Sequence, residues 1–129
     1  MPFPTDRKYT KEHEWISANG SAATIGITSY AQESLGDIVF VDLPKPGSAI
    51  TAGKTFGTVE SVKAVSDLYA PASGSVIEVN ADLSTAPEKV NQDAHSAWML
   101  KIQLSNPAEL DSLLSAADYE KFVKEEAGK

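Results

Sequence analysis

The fold is decided by the stretch Gly57-Thr-Val-Glu-Ser-Val-Lys-Ala-Val-Ser-Asp-Leu-Tyr-Ala-Pro-Ala-Ser-Gly74. It places one lysine, Lys63, between two runs that are both typical of β-strands. The turn residues from Tyr69 to Gly74 separate the second run from a further strand at 75–79. A half-buried strand pattern is carried by Thr58, Val59, Val62 and Val65. The stretch therefore predicts a β-hairpin that presents Lys63 at its tip, to solvent and to other proteins.

The segments around this hairpin are mostly short strands divided by turns. Residues 14–27 predict a second hairpin with a type I′ turn at Asn19-Gly20, because both residues tolerate positive φ. A short helix capped by Thr28 or Ser29 should follow, with Gly36 at its C′ position. Further strands are predicted at 37–43, 49–51, 55–59 and 98–104, and residues 80–93 are predicted to be a loop.

The pattern changes to helical periodicity near the C-terminus. Asn106 is predicted to cap a helix with Pro107 at N1, and Ser115 followed by Asp118 indicates a second helix start. Short strands first and helices last predict a β-rich α+β fold. We expect two small antiparallel sheets in a sandwich or flattened barrel, with a short internal helix and C-terminal helices. One domain should span residues 1–129, with a core hairpin unit at about 37–80 and a C-terminal helical segment at about 106–126.

Composition and charge exclude several function classes. The 129 residues include 18 acidic and 11 basic ones, for a net charge of −7. Arg7 is the only arginine and no basic run exists, which argues against nucleic-acid binding. No apolar run reaches the roughly 20 residues that cross a bilayer, and no signal or transit peptide is evident. Cysteine is absent, so disulfides and thiolate chemistry are excluded. These features predict a soluble, cytoplasmic protein, which we expect to be a monomer.

Few residues suit intrinsic catalysis or metal binding. A Schiff-base lysine is normally buried, whereas Lys63 is predicted to be exposed, so intrinsic catalysis by Lys63 is disfavoured but its modification by another enzyme is not. In an extended segment Glu12 and Glu14 would point to one side and His13 to the other, which is poor geometry for a metal site. His13 and His95 are interpreted as partly exposed structural histidines. No phosphate loop, dinucleotide fingerprint, zinc-protease motif or serine-hydrolase elbow occurs.

The remaining prominent side chains have ordinary structural interpretations. The large aromatic residues are predicted to lie in the core: Trp15, Phe40, Phe56, Trp98 and Phe122. The acidic residues near the C-terminus are predicted to form a solvated helix face: Glu109, Asp111, Glu120, Glu125 and Glu126. We assign no functional role to either set from the pattern alone.

The Lys63 segment resembles the attachment site of biotinyl and lipoyl carrier domains, and the whole chain resembles the glycine cleavage H-protein family. The matching stretches are Tyr9-Thr-Lys-Glu-His-Glu-Trp15, Ala23-Thr-Ile-Gly-Ile-Thr28, Ala31-Gln-Glu-Ser-Leu-Gly-Asp-Ile-Val-Phe-Val41, Val59-Glu-Ser-Val-Lys-Ala-Val-Ser-Asp67, Pro71, Gly74, Glu78-Val-Asn80 and Glu109-Leu-Asp-Ser-Leu-Leu114. The resemblance runs from about Tyr9 to Phe122. The chain departs from the family pattern at 93–97, before Trp98, and at Ser34, where some relatives have histidine.

The resemblance implies a lipoyl-domain-like fold in which Lys63 carries lipoate in amide linkage. It also implies a non-catalytic carrier that shuttles the aminomethyl group of glycine between partner enzymes. Those partners are a pyridoxal-phosphate glycine decarboxylase, a tetrahydrofolate-dependent aminomethyltransferase and a dihydrolipoamide dehydrogenase. A lipoate ligase or lipoyltransferase would attach the cofactor.

An acidic cleft beside the hairpin could hold a protonated aminomethyl group by charge-assisted hydrogen bonds. Glu14 and Asp67 are the candidate residues, although both could be ordinary surface carboxylates. Two other functions stay open at this point: a carrier that relays lipoate to other lipoyl enzymes, and an unmodified β-rich interaction module. A biotin carrier is disfavoured, because Val62 and Ala64 replace the methionines that flank the biotinyl lysine.

Overall fold

A computed structural model describes residues 3–127, so both ends of the predicted 1–129 domain lie outside the described residues. The strands are β1 Lys8–Tyr9, β2 Glu14–Asn19, β3 Ala22–Ile27, β4 Ile38–Asp42, β5 Ala49–Ile50, β6 Thr55–Ser61, β7 Val65–Tyr69, β8 Gly74–Val79 and β9 Leu100–Leu104. The helices are α1 Ser29–Leu35, α2 Asp82–Thr85, α3 Lys89–Gln92 and α4 Ala116–Ala127, with a 3₁₀ helix at Pro107–Ser112 before α4. No helix in this described part is long and apolar enough to cross a membrane.

The strands form two separate antiparallel sheets. The larger sheet has six strands in the order β1-β2-β3-β9-β8-β5, and the smaller has three in the order β4-β6-β7. Each sheet ends in a different strand at each edge, so neither closes into a barrel. The prediction of a β-rich fold with two antiparallel sheets and added helices is therefore confirmed. Of the two predicted forms, sandwich and flattened barrel, the open sheets fit the sandwich.

The two sheets bury one main core between them. Ile25, Leu100 and Ile102 from the larger sheet and Val59 from the smaller sheet are completely buried in it. A second apolar cluster joins the C-terminal helix to the N-terminal segment; it contains Phe3, Tyr9, Trp15 and Tyr119. Burial of this size drives folding without cysteine cross-links. The main core supports the inner face of the β4–β6–β7 sheet, whose outer face stays exposed.

Part of the predicted core is wrong. Phe40 was expected to be buried but is 53% exposed, and Val62 and Val65 are 68% and 66% exposed. Their position in the smaller sheet explains the error: Phe40 and Val65 both lie beside Glu60 across β6, on its outer face, and Val62 lies in the turn. Of the other predicted core aromatics, Trp15 and Phe56 are buried, whereas Trp98 and Phe122 are half-buried against the second cluster.

Several turns and boundaries also differ from prediction. The first hairpin pairs Asn19 with Ala22, so its central residues are Gly20 and Ser21, not Asn19 and Gly20. Gly20 alone has positive φ there, at 67°, which fits a turn with glycine at its first central position instead of type I′. The predicted loop at 80–93 contains the short helices α2 and α3, because Leu83 on α2 and Val90 on α3 are buried in the main core.

The C-terminal helices begin differently from one another. Asn106 makes no side-chain capping hydrogen bond, and a 3₁₀ helix replaces the predicted α-helix. The Ser115 start is confirmed, because its hydroxyl accepts a hydrogen bond from the amide of Asp118 at 3.2 Å. The cap of α1 is confirmed as well: the Thr28 hydroxyl accepts from the amide of Ala31, and Gly36 follows the helix at a φ of 82°.

Candidate functional site

Lys63 lies at the exposed tip of the β6–β7 hairpin, in the turn 62–64. The buried hydroxyl of Ser61 organises this turn: it donates to the carbonyl of Ala64 at 3.2 Å and accepts from the amides of Ala64 and Lys63 at 3.1 and 3.3 Å. The amide of Ser61 donates to the same Ala64 carbonyl at 2.8 Å. Because one side chain satisfies three backbone groups, the lysine projects from a fixed turn and not from a loose loop.

A second layer of contacts fixes this turn to the rest of the fold. The amide of Val62 donates to the carbonyl of Asp37 at 3.0 Å, so the chain after α1 supports the tip. Asn91 clamps that chain from α3: its amide nitrogen donates to the Gly36 carbonyl, and its oxygen accepts from the Ile38 amide, both at 2.8 Å. Three segments of the sequence therefore fix the position of Lys63: the turn itself, the chain after α1, and α3.

Gly36 lies beside the lysine side chain. Its φ of 82° lies in the region that glycine tolerates best, and a Cβ added there would meet Lys63 Cε at 3.7 Å. The stem of Lys63 therefore passes over the end of α1 in ordinary contact distance. The amine itself carries no described hydrogen bond or ion pair, and the residue is exposed.

The outer face of the smaller sheet combines acidic and apolar side chains. Two rows of paired residues cross its three strands: Phe40, Glu60 and Val65 form one, and Asp42, Thr58 and Asp67 form the other. Strand geometry places both rows on one face, because residues two apart on a strand point the same way. Asp67 therefore lies exposed on the Lys63 hairpin, as the sequence predicted, four residues from the lysine.

A cavity of about 460 Å³ opens at the far end of β7. It is lined by Tyr9, Thr10, Lys11, Glu12, Glu14, Ala52, Gly53, Tyr69, Ala70, Pro71, Glu109, Ser112, Leu113 and Leu114. Three of these are carboxylic acids, and two tyrosines provide aromatic surface. On β7 the residues Val65, Asp67 and Tyr69 alternate onto one side. A continuous surface strip therefore leads from the Lys63 tip past Asp67 to this cavity.

Glu14 is the most unusual group in the cavity, because it is a carboxyl only 1% exposed. One oxygen accepts a hydrogen bond from the Thr10 hydroxyl at 2.7 Å, and the other accepts from the amide of Tyr69 at 3.3 Å. Burial raises the pKa of Glu14 to about 8, although both hydrogen bonds oppose the shift. The interpretation of Glu14 as an ordinary surface carboxylate is therefore wrong: it is a buried acid at the cavity wall.

The residue before Glu14 explains how the chain places it there. His13 has a φ of 73°, the only positive value among the described residues other than glycine. The segment is therefore not extended, and the predicted alternation of Glu12, His13 and Glu14 is wrong: Glu12 stays exposed while Glu14 turns inward. A non-glycine residue in this conformation is strained and persists only where its surroundings hold it.

The C-terminal helix supplies that hold through a chain of hydrogen bonds. The Tyr119 hydroxyl lies 2.7 Å from His13 Nδ1 and 2.8 Å from the Thr28 hydroxyl, and His13 Nε2 lies 3.2 Å from Glu126. Burial lowers the pKa of His13, which favours the neutral ring. With Nε2–H donating to Glu126, Nδ1 accepts from Tyr119, and Tyr119 accepts from Thr28. His13 is thus a partly buried structural histidine, as predicted.

The sequence missed several residues of this site. Tyr69 and Thr10 hold the Glu14 carboxyl, and Glu109 lines the same cavity instead of a solvated helix face. The Glu109 carboxylate accepts from the amide and the hydroxyl of Ser73 at 2.7 and 3.0 Å. Ser61 carried a detectable signal, because serine favours turns. The others depend on contacts between distant segments, which local patterns do not reveal.

The atypical loop at 93–97 directly follows α3 and is fixed by contacts with the N-terminal part of the chain. Trp15 Nε1 donates to the carbonyl of Ala94 at 3.2 Å, and the Arg7 guanidinium donates to the carbonyl of His95 at 2.8 Å. His95 Nε2 accepts from the amide of Ser29 at 3.3 Å, which makes His95 a structural histidine as well. Across residues 3–127 no three His, Cys, Asp or Glu side chains gather as a metal site.

Comparison with known proteins assigns this arrangement to a family. The sequence model of the family described as "Glycine cleavage H-protein" matches residues 7–126. The "Glycine cleavage system H protein" of Koribacter versatilis is 69% identical over 99% of both chains, and that of Acidobacterium capsulatum is 62% identical over the same shares.

A solved structure agrees with these sequence matches. The fold is similar to the crystal structure of a glycine cleavage system H protein from Mycobacterium marinum, with a TM-score of 0.84 at 39% identity, over 97% of this chain and 99% of that one. The similarity in sequence and in fold therefore extends over nearly the whole chain. The chain therefore belongs to the glycine cleavage H-protein family, the lipoyl carriers of the glycine cleavage system.

Proposed function

We propose that Lys63 is the residue of this chain that carries lipoate, in amide linkage through its Nζ. The observation that supports this most directly is its position: it is the lysine at the tip of a hairpin that Ser61, Asp37 and Asn91 fix in place. A fixed backbone with a free amine suits an attachment site, because another enzyme must bring that amine into its own active site. When attached, the lipoyl group supplies a dithiolane that accepts the aminomethyl group of glycine and carries two electrons.

The residues around Lys63 fit such a group. The lysine stem lies against the end of α1 at Gly36, and the outer face of β7 offers a strip along which a long arm can lie. Val65 and Tyr69 give this strip apolar surface, and Asp67 gives it a carboxylate. The chain's own contribution is therefore to present, guide and shelter the arm, while the chemistry belongs to its partners.

Glu14 and Asp67 are proposed to hold a cationic amine at the two ends of this strip. The structure does not place them in one cleft: Asp67 is exposed on the hairpin, and Glu14 lines the cavity beyond Tyr69. Asp67 is the nearer to Lys63 and would meet the amine in solvent, where screening weakens the attraction. Glu14 would meet it in a partly enclosed space, where an ammonium group would lower the pKa of the carboxyl and form a charge-assisted hydrogen bond.

The partners proposed for this carrier are the glycine decarboxylase, the aminomethyltransferase and the dihydrolipoamide dehydrogenase of the system. Tethering the group to one carrier keeps its local concentration high at each docked active site. The carrier itself is proposed to supply no catalytic group. Its curated relatives named above come from bacteria, which supports action in a bacterial cytoplasm.

Lys63→Arg tests the assignment, because it keeps the charge and removes the amine that can be acylated. With the three partner enzymes and no other lipoyl carrier, glycine cleavage should vanish while the melting temperature stays within about 2 °C, since an exposed turn residue is being changed. Lys54→Arg, on an exposed residue at the other end of β6, is the matched control and should keep full activity. Residual lipoate-dependent turnover by Lys63→Arg would contradict the assignment.

A second assay distinguishes the proposed function from the alternative of a carrier that relays lipoate to other enzymes. If the protein relays lipoate to other lipoyl enzymes, the loaded wild-type protein should transfer its lipoyl group to the lipoyl domain of a 2-oxoacid dehydrogenase when a lipoyltransferase is added. Whether or not that transfer occurs, we expect the loaded protein to support glycine cleavage by the three partner enzymes. Transfer without any support of glycine cleavage would favour the relay function instead.

A further inference from the structure

Several large apolar side chains near Lys63 are exposed to solvent and do not contribute to the core. The described residues include five large apolar side chains that are about half exposed or more: Val39, Phe40, Val62, Val65 and Ile77. Four of them belong to β4 or to the Lys63 hairpin, and only Ile77 lies on the larger sheet. Exposed apolar side chains that gather at one place mark an interaction surface more often than scattered ones do.

Phe40, Val62 and Val65 form what we call the tip patch. Phe40 and Val65 are the two cross-strand neighbours of Glu60, so they lie on either side of it on one face, and Val62 directly precedes Lys63. None of the three stabilises the core, because the inner face of the same strands is filled by Val41 and Val59. Their exposure of 53%, 68% and 66% therefore needs another explanation.

Acidic residues surround the tip patch on the same face. Glu60 lies between Phe40 and Val65, and Asp42 and Asp67 form the next row. Lys63 is the only cation in the stretch from 55 to 69. A partner for this face must therefore offer apolar area at its centre and basic residues around it.

We propose that the tip patch is the docking surface for the enzyme that acylates Lys63. This inference rests on the proposed role of Lys63 and goes beyond it by naming the surface that is recognised. In the reaction concerned, the amine of Lys63 attacks an activated lipoyl carbonyl, an amide bond forms, the activating group leaves, and the enzyme takes the proton that the amine loses.

The position of the reacting atom selects this partner over the others. The acylated atom is Nζ, at the end of the lysine side chain, so the acylating enzyme must enclose the turn and touch what lies beside it. The other partners act on sulfur atoms that lie farther out by a whole acyl chain, and they can bind without closing over the turn. The apolar side chains that lie beside the turn, and that such an enzyme would contact, are Val62, Phe40 and Val65.

The test compares acylation of patch variants with a matched control. Apo protein, lipoate, ATP and a lipoate–protein ligase are used to measure kcat/KM for wild type, Phe40→Ser, Val65→Thr and the double variant. Ile77→Ser and Ile77→Thr are the controls, because Ile77 is 51% exposed on the other sheet. Val65→Thr is nearly isosteric and keeps a β-branched strand residue, so it stays informative if Phe40→Ser loses stability.

The double variant should show a kcat/KM at least tenfold lower, mainly through KM, while both Ile77 controls stay within twofold of wild type. After prolonged acylation, Phe40→Ser, whose residue lies on β4 outside the strip of Val65, Asp67 and Tyr69, should be reoxidised by dihydrolipoamide dehydrogenase at a rate within twofold of wild type. Patch variants acylated as well as the controls would overturn the inference and leave the Lys63 assignment intact. Failure to acylate wild type would instead overturn that assignment.

Two other outcomes would also overturn the inference. An equal loss in acylation and in reoxidation would make the patch a general partner surface. Sedimentation that shows a dimer of wild type but a monomer of the double variant would make it a contact between two copies of the chain.

Discussion

Glu14→Gln should change how the stability of the arm-free protein depends on pH. The pKa of Glu14 is raised from its ordinary value of 4.5 to about 8 by burial, so the folded state binds a proton that the unfolded state has already released. Wherever the folded state binds more protons, stability falls as pH rises. Glu14 therefore destabilises the wild-type fold progressively between about pH 4.5 and pH 8. Glutamine has no proton to lose and removes this dependence.

The magnitude follows from the size of the shift. Each pKa unit corresponds to about 1.4 kcal/mol, so the wild-type free energy of unfolding should fall by about 1.4 kcal/mol per pH unit relative to Glu14→Gln. Over the whole window the difference approaches about 5 kcal/mol, which is large beside a total stability of about 5–15 kcal/mol. Glutamine can accept from Thr10 but turns its NH₂ toward the Tyr69 amide. That lost hydrogen bond shifts the variant's curve by a constant and leaves its slope unaffected.

Guanidinium unfolding at half-unit steps from pH 5 to pH 9 measures both curves in the same buffers. Glu33→Gln, an exposed carboxyl on α1, is the matched control and should follow the wild-type slope. Parallel curves for wild type and Glu14→Gln would refute the reasoning, because they would show that the Glu14 carboxyl titrates alike in the folded and unfolded chains.

Three further predictions concern the hairpin, the two carboxyls Glu14 and Asp67, and the C-terminal helix. Ser61→Ala leaves the turn amides of Lys63 and Ala64 without their acceptor, which should cost about 1–3 kcal/mol in guanidinium unfolding and slow acylation of Lys63; unchanged values in both assays would contradict this. Glu14→Gln and Asp67→Asn should each release ammonia faster from isolated protein loaded with aminomethyl, with unchanged lipoylation. Equal decay in both variants and wild type would remove these residues from the mechanism. Tyr119→Phe leaves His13 and Thr28 without their shared hydroxyl, and should cost about 1–3 kcal/mol in thermal unfolding; a melting temperature equal to wild type would show that the hydroxyl does not hold His13.

Local patterns predicted the parts of the fold that local chemistry controls. The hairpin around Lys63, the Thr28 cap, Gly36 after α1 and the Ser115 start all depend on residues within a few positions of one another. Alternation and turn residues are sufficient for such elements. The division into two antiparallel sheets followed from the number and spacing of short strands.

The errors arise where contacts with a distant segment of the chain determine the burial or the conformation of a residue. Phe40 is an aromatic residue in an apolar strand, which predicts burial, yet the register of β4 with β6 turns it outward beside Glu60. Glu14 looked like a surface acid because no local pattern shows that His13 adopts a positive φ, held by Tyr119 from 106 residues away in sequence. Asn91 supports the Lys63 turn from a helix that was predicted to be a loop. Each of these placements needs the tertiary structure.

The central claim is that Lys63 is the acylated residue, and peptide mass spectrometry of the native protein tests it most directly. Protein purified from its natural host is digested, and every lysine peptide is compared with apo protein made without lipoate. The mass increment of one lipoyl amide should appear on the peptide that contains Lys63, and on no other of the ten lysines. A lipoyl group on another lysine, or an unmodified Lys63 in a host whose other lipoyl proteins are loaded, would contradict the account.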